Sequence, residues 1–232
     1  MGSVTIDVGD RPTREVNEQL RAAIADGTTE IALEDPAGRH NLAVALEGDG
    51  VKINCNGTVG YFLGALGMGP DIEVHGNAGW SAGADLMSGS VTVHGNAGSS
   101  VAAACRGGAV VIDGDVGARC GIALKGGTVV IGGSVGYMSA FMMQTGTFVI
   151  GGDAADGLGD SMYAGDIFVG GEFEALGADA VMRDPTDEEL VGLKELLTSV
   201  GHDPDRPWKH VTSGGKLHHF QKEQYELWKQ AF

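Results

Sequence analysis

The sequence predicts an all-β protein built as a parallel β-helix of about seven coils. The first sign is a glycine that recurs at a constant interval of 19 residues: Gly57, Gly76, Gly95, Gly114, Gly133, Gly152 and Gly171. Two sets of apolar residues also recur every 19 residues, and we call each such set a column. One column runs from Ile53 to Ile167 and the other from Cys55 to Val169. Residues two apart on a strand face the same side, so each copy points one apolar stripe inward. A unit this short cannot bury its own core, and stacking successive units as coils solves that problem.

Further columns of small residues support the same interpretation. One follows the first five anchors by three residues: Gly60, Gly79, Gly98, Gly117 and Gly136. Another precedes the strands: Gly89, Gly108, Gly127, Gly146 and Gly165. A third is expected at a tight inner corner: Gly64, Gly83, Ala102, Gly121 and Ala140. Glycine is needed where a turn has a positive φ or where neighbouring backbones approach closely, so we interpret the anchor glycines as structural turn residues.

The residue between the two apolar columns changes character along the repeat. It is polar at first, as Asn54, Glu73 and Thr92. It is apolar afterwards, as Val111, Val130, Val149 and Phe168. One outer face of the β-helix is therefore expected to begin polar and to end apolar.

Residues 1–50 are expected to form an N-terminal cap of strands and one helix, ahead of the β-helix at residues 51–182. Residues 3–8 alternate as in a strand, and a helix is predicted from Asp10 to about Ala25, with Val16, Leu20 and Ile24 on one face. Residues 31–33 and 42–46 are interpreted as further short strands. An open solenoid end exposes unpaired backbone groups, and a lid on the first coil would cover them.

Residues 183–232 are expected to form a C-terminal helical cap and a docking tail. Thr186 and Glu189 have the spacing of a capping box, and a helix is predicted from there to about Val200. This helix is expected to cap the far end of the solenoid. After Pro204 the tail is rich in aromatic residues beside cations, as at interface anchors. The candidate docking residues are Trp208, Tyr225, Trp228 and Phe232. The alternative is that this tail folds back on its own β-helix.

Composition narrows the range of functions. The chain has 232 residues and a formal net charge of −16, which argues against binding to nucleic acid or to anionic membranes. Neither a signal-like start nor an apolar run of 18 or more residues is found, so a soluble, cytoplasmic protein is expected. Cys55, Cys105 and Cys120 have no metal-binding spacing and are interpreted as buried free thiols.

Three groups of residues in the repeat are candidate sites. His75 and His94 occupy one column about 5 Å apart, which fits either a shared metal or a surface ladder; the ladder is favoured because no third ligand is apparent. The loop with Asp153, Asp156 and Asp160 fits a cation site less well than a solvated loop. A polar column is interpreted as bonding to turn backbone: Thr58, Asn77, Asn96, Asp115, Ser134 and Asp153. No catalytic, cofactor-binding or metal-binding residue is therefore assigned.

Two segments of the repeat resemble a known family. They are residues 56–64 (NGTVGYFLG) and residues 76–89 (GNAGWSAGADLMSG), and they are similar to the C-terminal G-x-G-x-G domain of the glutamate synthase large subunit. The helix that opens with Asp10 and Arg11 also resembles the segment before that domain. The chain departs from the family in having no attached amidotransferase or flavin domain, in Asn77, and in Ala155 and Glu174, where the second glycine is lost.

The resemblance implies a right-handed β-helix that is itself non-catalytic. Free-standing forms are similar to the β-helix subunit of N-methylglutamate synthase, which converts glutamate and methylamine to N-methylglutamate and ammonia in methylamine metabolism. The implied role is to scaffold a class II amidotransferase-like subunit and an FMN-binding glutamate synthase-like subunit, and to support the channelling of ammonia or amine. FMN and an iron–sulfur cluster would belong to the partner subunit of this transferase complex, and no cofactor to this chain.

Three other functions stay open. A more distant resemblance is to the C subunit of formylmethanofuran dehydrogenase and of the related formyltransferase/hydrolase complex. An independent enzyme, such as an acyltransferase with His75 or His94 as base, is disfavoured because the 18-residue coil of left-handed hexapeptide helices is missing. A purely structural protein without partner enzymes is the third alternative.

Overall fold

The computed structural model describes residues 2–217 and confirms a parallel β-solenoid of about seven turns. Its eleven strands form one sheet, in the order β1-β2-β3-β4-β5-β6-β7-β8-β9-β11-β10. The elements are β1 Gly2–Asp7, α1 Thr13–Ala25, β2 Thr28–Glu34, β3 Lys52–Asn56, β4 Met68–Val74, β5 Ser88–Val93, β6 Ala109–Ile112, β7 Lys125–Ile131, β8 Thr145–Ile150, β9 Asp166–Val169, β10 Ala180–Arg183, α2 Asp187–Ser199 and β11 Lys209–Ser213. Within these residues, neither helix is long and apolar enough to cross a bilayer.

The 19-residue step sets the register of the parallel strands. Ile53 pairs with Ile72, Ile72 pairs with Val91, and the same offset continues to β9. The side chains of both apolar columns point into the solenoid and are buried, including Cys55 and Phe148. The predicted inward stripe is therefore the core of the molecule.

The N-terminal segment belongs to the same sheet. β1 pairs in parallel with β2, and β2 pairs with β3 through Ile31 and Ile53. The predicted strands at residues 3–8 and 31–33 and the predicted helix are thus present. Helix α1 buries Val16 and Leu20 against the first coil and closes the interior at this end.

Residues 42–46 are not the short strand that their alternation suggested. They form a turn in which Asn41, Ala43 and Ala45 have φ between +50° and +56°. The side chain of the buried Asn17 holds this turn, because it donates to the Asn41 carbonyl at 2.8 Å and accepts the Ala43 N–H at 2.9 Å.

Every later coil repeats this alternating turn. In one coil, Ser100, Ala102 and Ala104 have φ of +60°, +54° and +53°. Their N–H groups donate alternately to the next coil and the previous one, at 2.8 to 2.9 Å. The small inner column lies at the middle of these turns and faces the packed interior. A Cβ on Gly64 would lie 2.9 Å from Ile72 Cδ1, and Ala102 and Ala140 are fully buried, which explains the restriction of this column to glycine and alanine.

The anchor glycines from Gly76 onward are required for another reason, the close approach of neighbouring coils. Gly114 does not lie in the left-handed region, so a positive φ is not what excludes a side chain there. A Cβ on Gly114 would lie 2.9 Å from the Gly95 carbonyl oxygen and 3.1 Å from Asn96 Cγ. The coils approach too closely at this corner for any side chain.

Helix α2 covers the outer apolar face of the last four parallel strands. Its Leu193 and Leu197 pack there together with Trp208. This position refines the expected cap, because α2 lies along the sheet, while β11 pairs antiparallel with β9 and covers the final edge. The sheet residues in this cluster are Val111, Val130, Val149 and Phe168.

The segment after α2 crosses the turns of the last coils. Arg206 donates to the Gly151 carbonyl at 2.6 Å, and a Cβ on Gly170 would lie 3.2 Å from the Trp208 ring. A Cβ on Gly132 would lie 2.5 Å from His202 Cε1. The column that holds His75 and His94 in the early coils is therefore reduced to glycine where this segment covers it.

Candidate functional site

His75 and His94 lie at the carboxyl ends of β4 and β5, on the outer side of the sheet. Their rings stack with centroids 5.2 Å apart and an interplanar angle of 18°, close to the spacing that the 19-residue step predicts. Both side chains are exposed. Among the described residues, the ring of His75 has this stacking contact and no hydrogen bond.

His94 lies between two carboxylates. Its Nε2 is 2.6 Å from Glu73 Oε1 and its Nδ1 is 2.7 Å from Asp113 Oδ2. Carboxylates only accept hydrogen bonds, so His94 donates from both ring nitrogens in this arrangement. The hydrogen bond to Glu73, followed by that to Asp113, raises the pKa of His94 above its ordinary value.

Glu73 is the third possible metal ligand, which the sequence alone did not indicate. One ligand atom from each of Glu73, His75 and His94 lies within 4.8 Å of the other two. Columns at steps of 19 residues do not connect Glu73 with either histidine. The signal that could have found it is the Glu-x-His spacing, since residues two apart on a strand share a face.

A second group of possible metal ligands is Asp166, Glu189 and His210. His210 is fully buried, stacks on Phe168 at 4.7 Å, and lies 2.8 Å from Asp166 Oδ1. Glu189 already accepts two hydrogen bonds from Arg183. This group joins Glu189 of α2 to Asp166 and His210 at the end of the sheet.

The polar column bonds to turn backbone as predicted. Each member from Thr58 to Asp153 accepts the backbone N–H of the residue 19 positions later, at 2.7 to 3.3 Å. In the acidic loop, Asp160 likewise accepts from Ser161 at 2.7 Å and from the Ala178 N–H at 3.0 Å. The carboxylates of Asp153 and Asp160 therefore accept hydrogen bonds from N–H and O–H groups of this chain.

An apolar surface lies on the early coils. It consists of Tyr61, Phe62, Leu66 and Trp80, which are 43%, 45%, 54% and 55% exposed, and we call it the aromatic surface. The rings of His40, Tyr61 and Trp80 stack in sequence, with centroids 4.4 Å and 5.7 Å apart.

The aromatic surface also has an unusual backbone. Phe62 and Leu66 have φ of +59° and +60°, a region that bulky side chains rarely adopt. The corresponding residues of the next coil are Ser81 and Asp85, and Asp is among the residues that tolerate this conformation best.

The predicted docking tail divides into two parts. Trp208 is only 9% exposed, and its indole N–H donates to the Pro204 carbonyl at 3.0 Å. Its ring is thus packed within this chain, as in the fold-back alternative. Tyr225, Trp228 and Phe232 lie outside the described residues, so their docking role stays a prediction.

Comparison of the sequence with protein-family models and with curated proteins gives no match.

Proposed function

We propose that this protein is a non-catalytic β-helix subunit of a glutamate synthase-type complex, and specifically of an N-methylglutamate synthase. It would hold an amidotransferase-like chain and an FMN-binding chain that also carries an iron–sulfur cluster. The sequence resemblance and the coil of 19 residues support this proposal. The single observation that carries the docking role is the aromatic surface.

Phe62 and Leu66 are costly residues at their positions. Each has a bulky apolar side chain that is about half exposed to solvent. The backbone of each also lies in the left-handed region, where a non-glycine residue costs on the order of 1 kcal/mol or more. Their backbone bonds do not need these side chains, because the N–H groups of Phe62 and Leu66 donate to Trp80 and Ala84 carbonyls through the main chain alone. A partner that buries both side chains provides the reason for keeping them.

Stacked rings make the same surface suitable for a protein partner. Tyr and Trp bury large areas at low entropy cost and are enriched among the residues that dominate binding energy. Tyr61 and Trp80 are held in place by their mutual stacking and by His40, whose Nδ1 accepts the Tyr61 N–H at 2.9 Å. Tyr61, Phe62 and Trp80 also belong to the segments on which the resemblance rests.

The first test is purification of the tagged full-length chain from its native cells, with mass spectrometry and a visible spectrum of the eluate. An amidotransferase-like chain and a flavoprotein, with flavin absorbance, are expected. Formyltransferase or amidohydrolase-like chains in a colourless eluate would instead favour the formylmethanofuran-type complex. Absence of any partner enzyme would contradict the proposal.

A matched pair of variants tests the aromatic surface itself. Phe62→Asn with Leu66→Asn should release the partner chains while leaving the fold at least as stable, because asparagine tolerates positive φ. The control is Met138→Asn with Met142→Asn, at the same turn positions four coils later, with φ of +53°. Equal loss of partners in both variants, or retention in both, would contradict docking at the aromatic surface.

A further inference from the structure

We infer that Glu73, His75 and His94 form a binding site for a divalent transition-metal ion of the zinc and cobalt class, with Asp113 orienting His94. This inference does not depend on the proposed scaffold role. It rests on the way the solenoid brings the three ligands together.

The coil geometry fixes two sides of the site. Glu73 and His75 are two residues apart on one strand, so their side chains point to the same outer face. His94 follows His75 by one 19-residue coil, and the pairing of Val74 with Val93 places the two histidines side by side. One carboxylate and two imidazoles therefore converge at the end of β4 and β5.

The distances are within reach of coordination. Tetrahedral ligands bonded at about 2.0 to 2.1 Å lie about 3.3 Å from one another. The ligand atoms here already lie within 4.8 Å of one another. The side chains of Glu73 and His94 are 47% and 37% exposed, so their rotamers have room to close the gap.

Asp113 determines which nitrogen of His94 is free for a metal. Its Oδ2 accepts from Nδ1 at 2.7 Å, which directs Nε2 towards Glu73. A metal ion bound here takes the place of the Nε2 proton, and that proton passes to solvent. A carboxylate on the far nitrogen of a ligating histidine is the usual arrangement in metal sites.

The donor set selects the class of metal. Imidazole nitrogens suit zinc, copper, iron and nickel, whereas calcium and magnesium prefer oxygen ligands alone. Three protein ligands on an exposed turn leave the remaining coordination positions to water or to a group from a partner. The net charge of −16 adds a general attraction for cations.

The other group of possible ligands is less suitable. Glu189 is paired with Arg183, whose positive charge opposes a cation. His210 is fully buried beside Glu189 of α2, so its ring is closed to an ion from solvent. We therefore assign the metal to the exposed group alone.

The test uses the tag-free full-length chain, titrated with Zn²⁺ in a calorimeter and with Co²⁺ by absorption spectroscopy. One ion per chain is expected. His75→Gln with His94→Gln should abolish both signals, while His218→Gln with His219→Gln, which also removes two imidazoles, should leave them unchanged. Asp113→Asn should weaken binding by about 10- to 100-fold without changing the stoichiometry.

Circular dichroism and thermal unfolding without metal establish that each variant is folded. Glu73→Gln removes the carboxylate without removing a histidine, and it should also weaken binding. Retained binding in the His75 and His94 variant would overturn the site. So would loss of binding in the His218 and His219 variant, or the absence of binding in the wild-type chain.

Discussion

The side-chain oxygen of Asn96 accepts the backbone N–H of Asp115 from the next coil at 2.8 Å. The same bond connects each successive pair of coils along the polar column. Each of these hydrogen bonds is one rung of a ladder and joins residues that are 19 positions apart. Together they fix the register between the turns of neighbouring coils, as β-pairing fixes the register between the strands. The column is polar because a backbone donor at a corner would otherwise lack a partner in the chain.

Removal of one rung should therefore destabilise the solenoid modestly. Asn96→Ala is expected to lower the free energy of unfolding by about 1 kcal/mol, the usual net value of one hydrogen bond. Asn96→Asp keeps the acceptor and serves as the control. Urea unfolding followed by circular dichroism gives both values, and equal stability of Asn96→Ala and wild type would contradict a structural ladder.

A methyl group at an anchor glycine should lower the free energy of unfolding much more than a methyl group at a glycine with open space around it. In Gly114→Ala the new Cβ would overlap the Asn96 side chain and lie 2.9 Å from the Gly95 carbonyl oxygen, so the coils must separate. We expect a loss of several kcal/mol, above the usual range of about 1 to 3 kcal/mol for overpacking. Gly192→Ala is the control, since nothing lies within 4 Å of its Cβ in helix α2. There a gain of about 0.5–1 kcal/mol is expected.

The attachment of α2 to the sheet is testable in the same way. Leu193 is 3% exposed against the outer face, whereas Val191 on the same helix is 60% exposed. Leu193→Ala should cost about 2–5 kcal/mol, and Val191→Ala should change little. Similar effects of the two substitutions would show that α2 does not pack on this face in solution.

The sequence predicted the parallel sheet because its two inner columns repeat in every coil without a shift. It did not predict the alternating turns. In residues 42–46 the positive φ values recur at every second residue, so they produce the same period of two as a strand. Hydrophobic alternation alone cannot distinguish these two conformations.

Contacts between segments that are distant along the chain could not be predicted from the sequence either. The apolar outer column and a helix ending near Val200 were both predicted, yet nothing local specifies that Leu193 of this helix joins one cluster with Val149 and its neighbours. The site at His75 and His94 was only partly predictable. Glu73 joins it across a diagonal of the sheet, which comparison of single columns does not reveal.

The three cysteines should be unreactive in the folded protein. All are free and buried, as predicted. Burial raises the pKa of the Cys55 thiol to about 12 and also raises the pKa values of Cys105 and Cys120. Since the thiolate is the reactive form, iodoacetamide at pH 8 should modify none of them in the native chain and all three in urea. Native modification of any cysteine, detected by mass spectrometry, would contradict this burial.

Glu189 should make stability depend on acid pH. Its ion pair with Arg183, followed by its hydrogen bond with the Thr186 N–H, lowers the pKa of this carboxyl from 4.5 to about 2. A lowered folded-state pKa contributes stability that is fully present above the unfolded-state value and is lost as the pH falls towards about 2. The difference in unfolding free energy between wild type and Glu189→Gln should be constant above about pH 5 and should shrink between about pH 4.5 and 2. Glu188→Gln in the same helical turn is the control, and a difference that does not change with pH would show that Glu189 keeps its ordinary pKa.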